Sequence, residues 1–212
     1  MRLTVFGATG GTGLELLRQG LAQTHEMTAV VRDASRLPAD LRDRLDVVEA
    51  DVMHADAVVP AVKDRDAVLS AMGTRERGPT TVHSAGIASI MAAMRRTGSR
   101  RLLMVSASGM VAGPDDGPLV RYVLKPLIVQ RLFRHSYADL ALAEGLLRAA
   151  DLDWTIVRPS RLTDDGPTGS YRTAVDRNLK GGMNTTRADL AACMLELIGD
   201  ATSVRHVVSV AT

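Results

Sequence analysis

The sequence predicts an α/β fold: a single doubly wound domain with a mostly parallel sheet and helices on both faces. Two observations carry this. Short runs of β-branched and apolar residues alternate with longer stretches of helical periodicity, the mark of repeated strand–helix–strand units. The first such run passes directly into a glycine-rich turn and a helix, an arrangement that holds anions. A length of 212 residues suits one domain over residues 1–212 and leaves no room for a second of full size.

In chain order, strands are expected near Leu3–Phe6, Met27–Val31, Leu45–Glu49, Ala67–Ala71, Arg101–Ser106, Trp154–Val157 and His206–Val210. Helices are expected near Thr12–Ala22, His54–Val62, Thr81–Thr97, Ser136–Ala149 and Arg187–Ile198. Leu14, Leu17 and Leu21 recur at helical spacing and form the expected docking face of the first helix. Thr186 with Asp189 is a variant of the capping box at the start of the last helix. Two irregular stretches, 109–118 and 163–182, follow strand ends and are expected to form the substrate crevice. The apolar segment Leu119–Phe133 contains Pro126 and reads as a broken helix, placed to flank the site, cover it or meet another subunit.

Bulk properties exclude several classes. With 26 basic and 24 acidic residues the net charge is +2, too small a surplus to imply a nucleic-acid partner. Arg95, Arg96, Arg100 and Arg101 are read instead as cations at a helix C-terminus. The single cysteine, Cys193, allows no internal disulfide and is expected in the core with Leu190, Met194 and Leu197. The five histidines show no metal-ligand spacing, so no metal is expected. Neither a signal peptide nor a membrane-spanning run is visible, which makes the cytoplasm the expected compartment.

The chemistry begins at Gly7-Ala8-Thr9-Gly10-Gly11-Thr12-Gly13. A phosphate needs backbone N–H groups aimed at it, the positive end of a helix and no Cβ in the way. Gly7, Gly10, Gly11 and Gly13 supply the approach, while Thr9 and Thr12 add hydroxyl donors. The spacing departs from G-x-G-x-x-G, but strand, loop and helix lie in register, as in a Rossmann dinucleotide site. The second strand ends at Val31, followed by Arg32 and Arg36, whose guanidinium forks suit the 2′-phosphate of NADP(H). Asp33 could instead accept a ribose hydroxyl.

Val5 to Gly13, then Val30-Val31-Arg32-Asp33-Ala34-Ser35-Arg36-Leu37-Pro38, resembles the biliverdin-IXβ reductase/flavin reductase family. Ala50-Asp51-Val52, Gly73-Thr74-Arg75, Pro79-Thr80-Thr81-Val82 and Leu162-Thr163 with Pro167 to Tyr171 agree. Leu152 to Pro159 is similar to the broader NmrA-like and extended short-chain dehydrogenase/reductase group. The resemblance implies that Asp51 and Val52 flank the adenine, although Asp51 also reads as a helix N-cap. It implies that Gly73, Thr74 and Arg75 line the ribose and pyrophosphate. It puts Ser106, Ser108, Pro159 and Ser160 near the nicotinamide.

Short-chain reductases of carbonyls usually pair a serine with Tyr-x-x-x-Lys, whose tyrosine protonates the nascent alkoxide. Ser108 can fill the serine position, but Tyr137 is followed four residues on by Ala141. Ser108 is therefore expected to orient a ring rather than donate a proton. An acceptor that spreads charge over a π-system, such as a free flavin or a tetrapyrrole, needs no placed acid. Aromatic residues make up 3%, so a flavin is expected as substrate rather than prosthetic group. The expected activity is NADPH-dependent hydride transfer to a small-molecule acceptor. The alternative is an NmrA-like protein that senses NADP(H) without turnover.

Overall fold

The computed structural model describes residues 1–74, 78–110 and 133–212. In chain order the elements are β1 (Arg2–Phe6), α1 (Gly11–Ala22), β2 (Glu26–Val31), α2 (Ala39–Arg42), β3 (Asp46–Glu49), α3 (Ala55–Val62), β4 (Ala67–Ser70) and α4 (Val82–Thr97). There follow β5 (Arg101–Val105), α5 (Arg134–Arg148), β6 (Asp153–Pro159), β7 (Arg161–Thr163), β8 (Arg172–Val175), β9 (Asn184–Thr186), α6 (Arg187–Gly199) and β10 (His206–Ala211). Eight strands make one sheet in the order β3-β2-β1-β4-β5-β6-β10-β8. Every neighbouring pair is parallel except β10 with β8. The order reverses between β1 and β4, where an open parallel sheet leaves a crevice beyond its strand ends. This is the single α/β Rossmann-like domain that the alternating pattern predicts.

Both faces of the sheet are covered, so strand residues of either parity are buried. On one face Leu3 and Val5 of β1 join Leu16 and Leu17 of α1 and Leu190, Cys193 and Met194 of α6. On the other, Phe6 meets Val58 of α3, Ile87 and Ile90 of α4, Leu147 of α5 and Ile156 of β6. Each large side chain so buried contributes roughly 1.5–3 kcal/mol. Cys193 is the expected core thiol, its pKa pushed up to about 12 by burial and then by Glu196.

Four expectations need correction. The inward face of α1 is Thr12, Gly13, Leu16, Leu17 and Gly20: Leu17 is buried as expected, whereas Leu14 and Leu21 are only half-buried at its margins, because two glycines and a threonine share the face with the leucines. The stretch 163–182 is not wholly irregular: β8 runs antiparallel along β10 and closes one edge of the sheet. Thr186 Oγ1 accepts from Asp189 N at 3.0 Å, but Asp189 does not return the contact of a full capping box. Its carboxylate turns outward to the backbone N–H groups of Thr168 and Gly169 and the Thr168 hydroxyl. Arg101 does not serve the C-terminus of α4 with Arg95, Arg96 and Arg100. It is buried in β5 and caps another helix, donating to the carbonyls of Leu197 and Ile198 in α6, to Asp153 O and to the Thr155 and Ser203 hydroxyls.

Candidate dinucleotide site

The chain leaves β1 at Phe6 and turns at Gly7, whose φ of +74° is in the left-handed region that favours glycine. A Cβ there would stand 2.4 Å from the Ala71 carbonyl oxygen at the end of β4. One turn later a Cβ on Gly13 would stand 2.2 Å from the Gly7 carbonyl oxygen. These two contacts draw loop, helix and adjacent strand together. Gly10 occupies the N-cap of α1, and no side chain caps the helix. The first-turn N–H groups and the positive helix end thus face the crevice, a cradle shaped for an anion.

A cavity of about 840 Å³ opens there. It brings together Gly7, Thr9, Gly10, Gly11 and Thr12 of the loop with Arg32 and Arg36 beyond β2. Asp51 and Val52 beyond β3, and Gly73 and Thr74 beyond β4, continue the lining. Val105 and Leu162 add apolar lining, and Met72 stands with Val52 against Gly86 of α4. Gly13 does not border the space, because its role is the close approach to Gly7. Arg75 lies outside the described residues, as do residues 111–118 of the first crevice loop and residues 119–132 of the apolar segment.

Asp33 does not border the cavity. Its Oδ1 accepts from the Ser35 N–H at 2.9 Å and the Ser35 hydroxyl at 2.6 Å, capping a short 3-10 turn, Ala34–Arg36. Those hydrogen bonds, with a smaller contribution from Arg36, hold its pKa below the usual carboxylate range. The turn is also tied to β3, since Ala34 N donates to Glu49 Oε1 at 2.7 Å. Arg36 is thereby presented on an anchored turn. Asp51 is not the helix N-cap: His54 holds that position in α3, and Asp51 Oδ1 accepts from Met53 N at 3.0 Å in the preceding turn.

Ser106, Ser108 and Pro159 do not line the cavity. Ser106 is buried and its hydroxyl donates to Glu144 Oε1 at 2.7 Å. Glu144, buried in α5, faces the Arg158 fork, with Nε at 2.9 Å from Oε1 and Nη2 at 2.5 Å from Oε2. Burial raises the Glu144 pKa, but Arg158, the Ser106 hydroxyl and Arg148 together bring it below the usual carboxylate range. Ser108 sits half-buried in the 3-10 turn Ser108–Met110. Tyr137 in α5 is half-buried against Phe133, its ring centroid 5.7 Å away, and burial pushes its pKa up.

Three site-shaping groups have no counterpart in the sequence reading. Arg187, the first residue of α6, borders the cavity beside Gly11. Asp139 of α5 caps α4 from outside, accepting from His83 N at 2.8 Å and Ser84 N at 3.1 Å. Glu144 fastens Ser106 to β6 through Arg158. The start of α4 is where the helix meets the cavity through Thr80 and Val82. Among the described residues, no group of three or more His, Cys, Asp and Glu is placed to hold a metal ion, and no helix is long and apolar enough to cross a membrane.

The glycine-rich loop, the uncapped helix end and the two guanidinium groups on one cavity fit a dinucleotide. A family model described as NAD(P)H-binding matches residues 7–201. The 3-diazoavenalumate denitrifying reductase of a Streptomyces species is 33% identical over 187 residues, which cover 81% of this chain and 59% of that longer protein. A short-chain dehydrogenase/reductase from Veillonella parvula in complex with NADP superposes with a TM-score of 0.81, at 20% identity, over 100% of this chain and 94% of the other. The anaerobilin reductase of Escherichia coli O157:H7 superposes with the same score at 23% identity, over 100% and 97% of the two chains.

Proposed function

The chain belongs to the NAD(P)H-binding family, and from that premise we propose that it is an NADPH-dependent reductase of a planar conjugated acceptor, most simply a free flavin. The observation that carries this is the single cavity joining the glycine cradle to Arg32 and Arg36. The cradle N–H groups and the α1 dipole hold the pyrophosphate. Arg32 and Arg36 pair the 2′-phosphate, whereas Asp33, with Oδ1 taken up by Ser35, does not border the cavity. In this reading Asp51 and Val52, with Met72 beside Val52, flank the adenine, and Val105 and Leu162 offer apolar surface to the ring.

When bound, NADPH supplies a hydride. The chain's own task at that end is to hold the acceptor face to face with the reduced ring, a proximity effect. Ser106 has its proton directed to Glu144, so it is not an acid for the acceptor. Tyr-x-x-x-Lys is missing at Tyr137. Both features favour an acceptor that spreads charge over conjugated bonds and takes its proton from solvent. Two of the similar proteins are reductases, of 3-diazoavenalumate and of anaerobilin, which supports the same reading.

Titration with NADPH and NADH, followed by NADPH oxidation in the presence of FMN, riboflavin or a linear tetrapyrrole, tests it. NADPH is expected to bind more tightly than NADH and to be consumed steadily with one of these acceptors. Binding without turnover on flavins, quinones and tetrapyrroles would leave a cofactor sensor in place of a reductase. Absence of dinucleotide binding would overturn both.

A further inference from the structure

We propose that Arg187 is an additional pyrophosphate ligand, parked on Asp164 and handed to the dinucleotide when it binds. The inference rests on the cofactor reading above and assigns a residue to it from the far end of the chain. The stem of Arg187 crosses directly in front of Gly11: a Cβ on that glycine would lie 2.5 Å from Arg187 Cδ. The guanidinium Nη1 donates to Asp164 Oδ1 at 2.6 Å, and the same oxygen would stand 3.6 Å from a Gly11 Cβ. A carboxylate therefore stands beside the uncapped N-terminus of α1, where the cradle is shaped for a more highly charged anion.

The two partners are unequally placed. The Asp164 side chain is 86% exposed, that of Arg187 28%. An ion pair so open to water contributes little and is easily exchanged. Arg187 borders both the main cavity and a smaller one of about 320 Å³, whereas Asp164 borders only the smaller. Arg187, with Gly11, thus lies between the two cavities. Its planar fork can take two oxygens of a pyrophosphate at once, a better match than one oxygen of an exposed aspartate. The segment carrying Asp164 need not move as a whole, because Thr168 and Gly169 are fastened separately to Asp189.

Dissociation constants of NADPH, NADH and adenosine 2′-phosphate, measured on wild type, Arg187→Met and Asp164→Asn, test the exchange. Arg187→Met should weaken both dinucleotides by a common factor of about ten, the worth of one charge-assisted contact. Adenosine 2′-phosphate, which has no pyrophosphate, should change by less than about twofold, as for an independent site. Asp164→Asn should tighten both dinucleotides. Unchanged dinucleotide binding by Arg187→Met, or equal weakening by Asp164→Asn, would overturn the proposal and leave the cofactor reading intact. A wild-type protein that binds neither dinucleotide would overturn the cofactor reading itself. Should Arg187→Met lose adenosine 2′-phosphate as well, Arg187→Lys, which keeps the charge without the fork, decides: a dinucleotide affinity between those of wild type and Arg187→Met supports the exchange, and a loss as deep as that of Arg187→Met overturns it.

Discussion

Arg36 stands at the start of the cofactor preference. The 3-10 turn that presents it is pinned at Asp33 by Ser35 and at Ala34 by Glu49, so the guanidinium leaves a fixed base. A fork against a 2′-phosphate contributes on the order of 1.5–3 kcal/mol, and its loss about one to two decades of affinity. Arg36→Ala is therefore expected to weaken NADPH by that factor and NADH hardly at all, as read by fluorescence titration. Equal losses for the two would remove Arg36 from the 2′-phosphate. At this scale the sequence left Asp33 available to accept a ribose hydroxyl; only the turn it caps shows its Oδ1 engaged by Ser35. Ser106 was legible as a strand-end residue, but its bond to Glu144 depends on a helix 38 residues away. Arg187 carried no local signal, since its neighbour Gly11 is brought close only by the packing of α6 on α1.

Among elements, α6 depends on a residue outside it. Helix C-termini leave carbonyls unpaired, and here Arg101 of β5 reaches across to Leu197 and Ile198. Arg101→Met keeps the apolar stem but strands those buried acceptors, at an expected cost of about 2–4 kcal/mol in urea unfolding. A loss below about 0.5 kcal/mol, the range of ordinary surface changes, would show that water replaces the guanidinium. The long strands and helices were legible because each carries its own hydrophobic period: all of those expected begin and end within two residues of their observed ends. The strands that escaped, β7, β8 and β9, are three or four residues long and rich in Arg, Thr and Asn. Their conformation comes from pairing with one another or with β10. The docking face of α1 was misread for a related reason, since Gly13 and Gly20 are buried yet add nothing to an apolar pattern.

The whole molecule is expected to lose stability in two steps as pH falls. His83 is 6% exposed, and burial lowers its pKa despite the opposing Asp139 carboxylate. Its folded value lies below the unfolded one of about 6.5, so the unfolded chain binds the extra proton and stability declines as pH drops from about 6.5. Glu144, also depressed in the fold, contributes stability that is present above its unfolded value of about 4.3 and lost as pH falls through its lower folded value. Urea unfolding across this range should show both windows. His83→Gln should flatten the upper one and spare the lower; an unchanged slope between pH 7 and 5 would assign the upper window to another group.

The sheet order also sets a timetable. The phosphate cradle and the five strands β3-β2-β1-β4-β5 come from residues 2–105, whereas β10, residues 206–211, is an interior strand that bonds β6 on one side and β8 on the other. During synthesis the nucleotide half has all of its strands well before β6 has its outer neighbour. The cradle residues are thus made long before α6, whose Leu190, Cys193 and Met194 complete the core under α1, so a dinucleotide would meet a finished site only once the last helix and strand have joined.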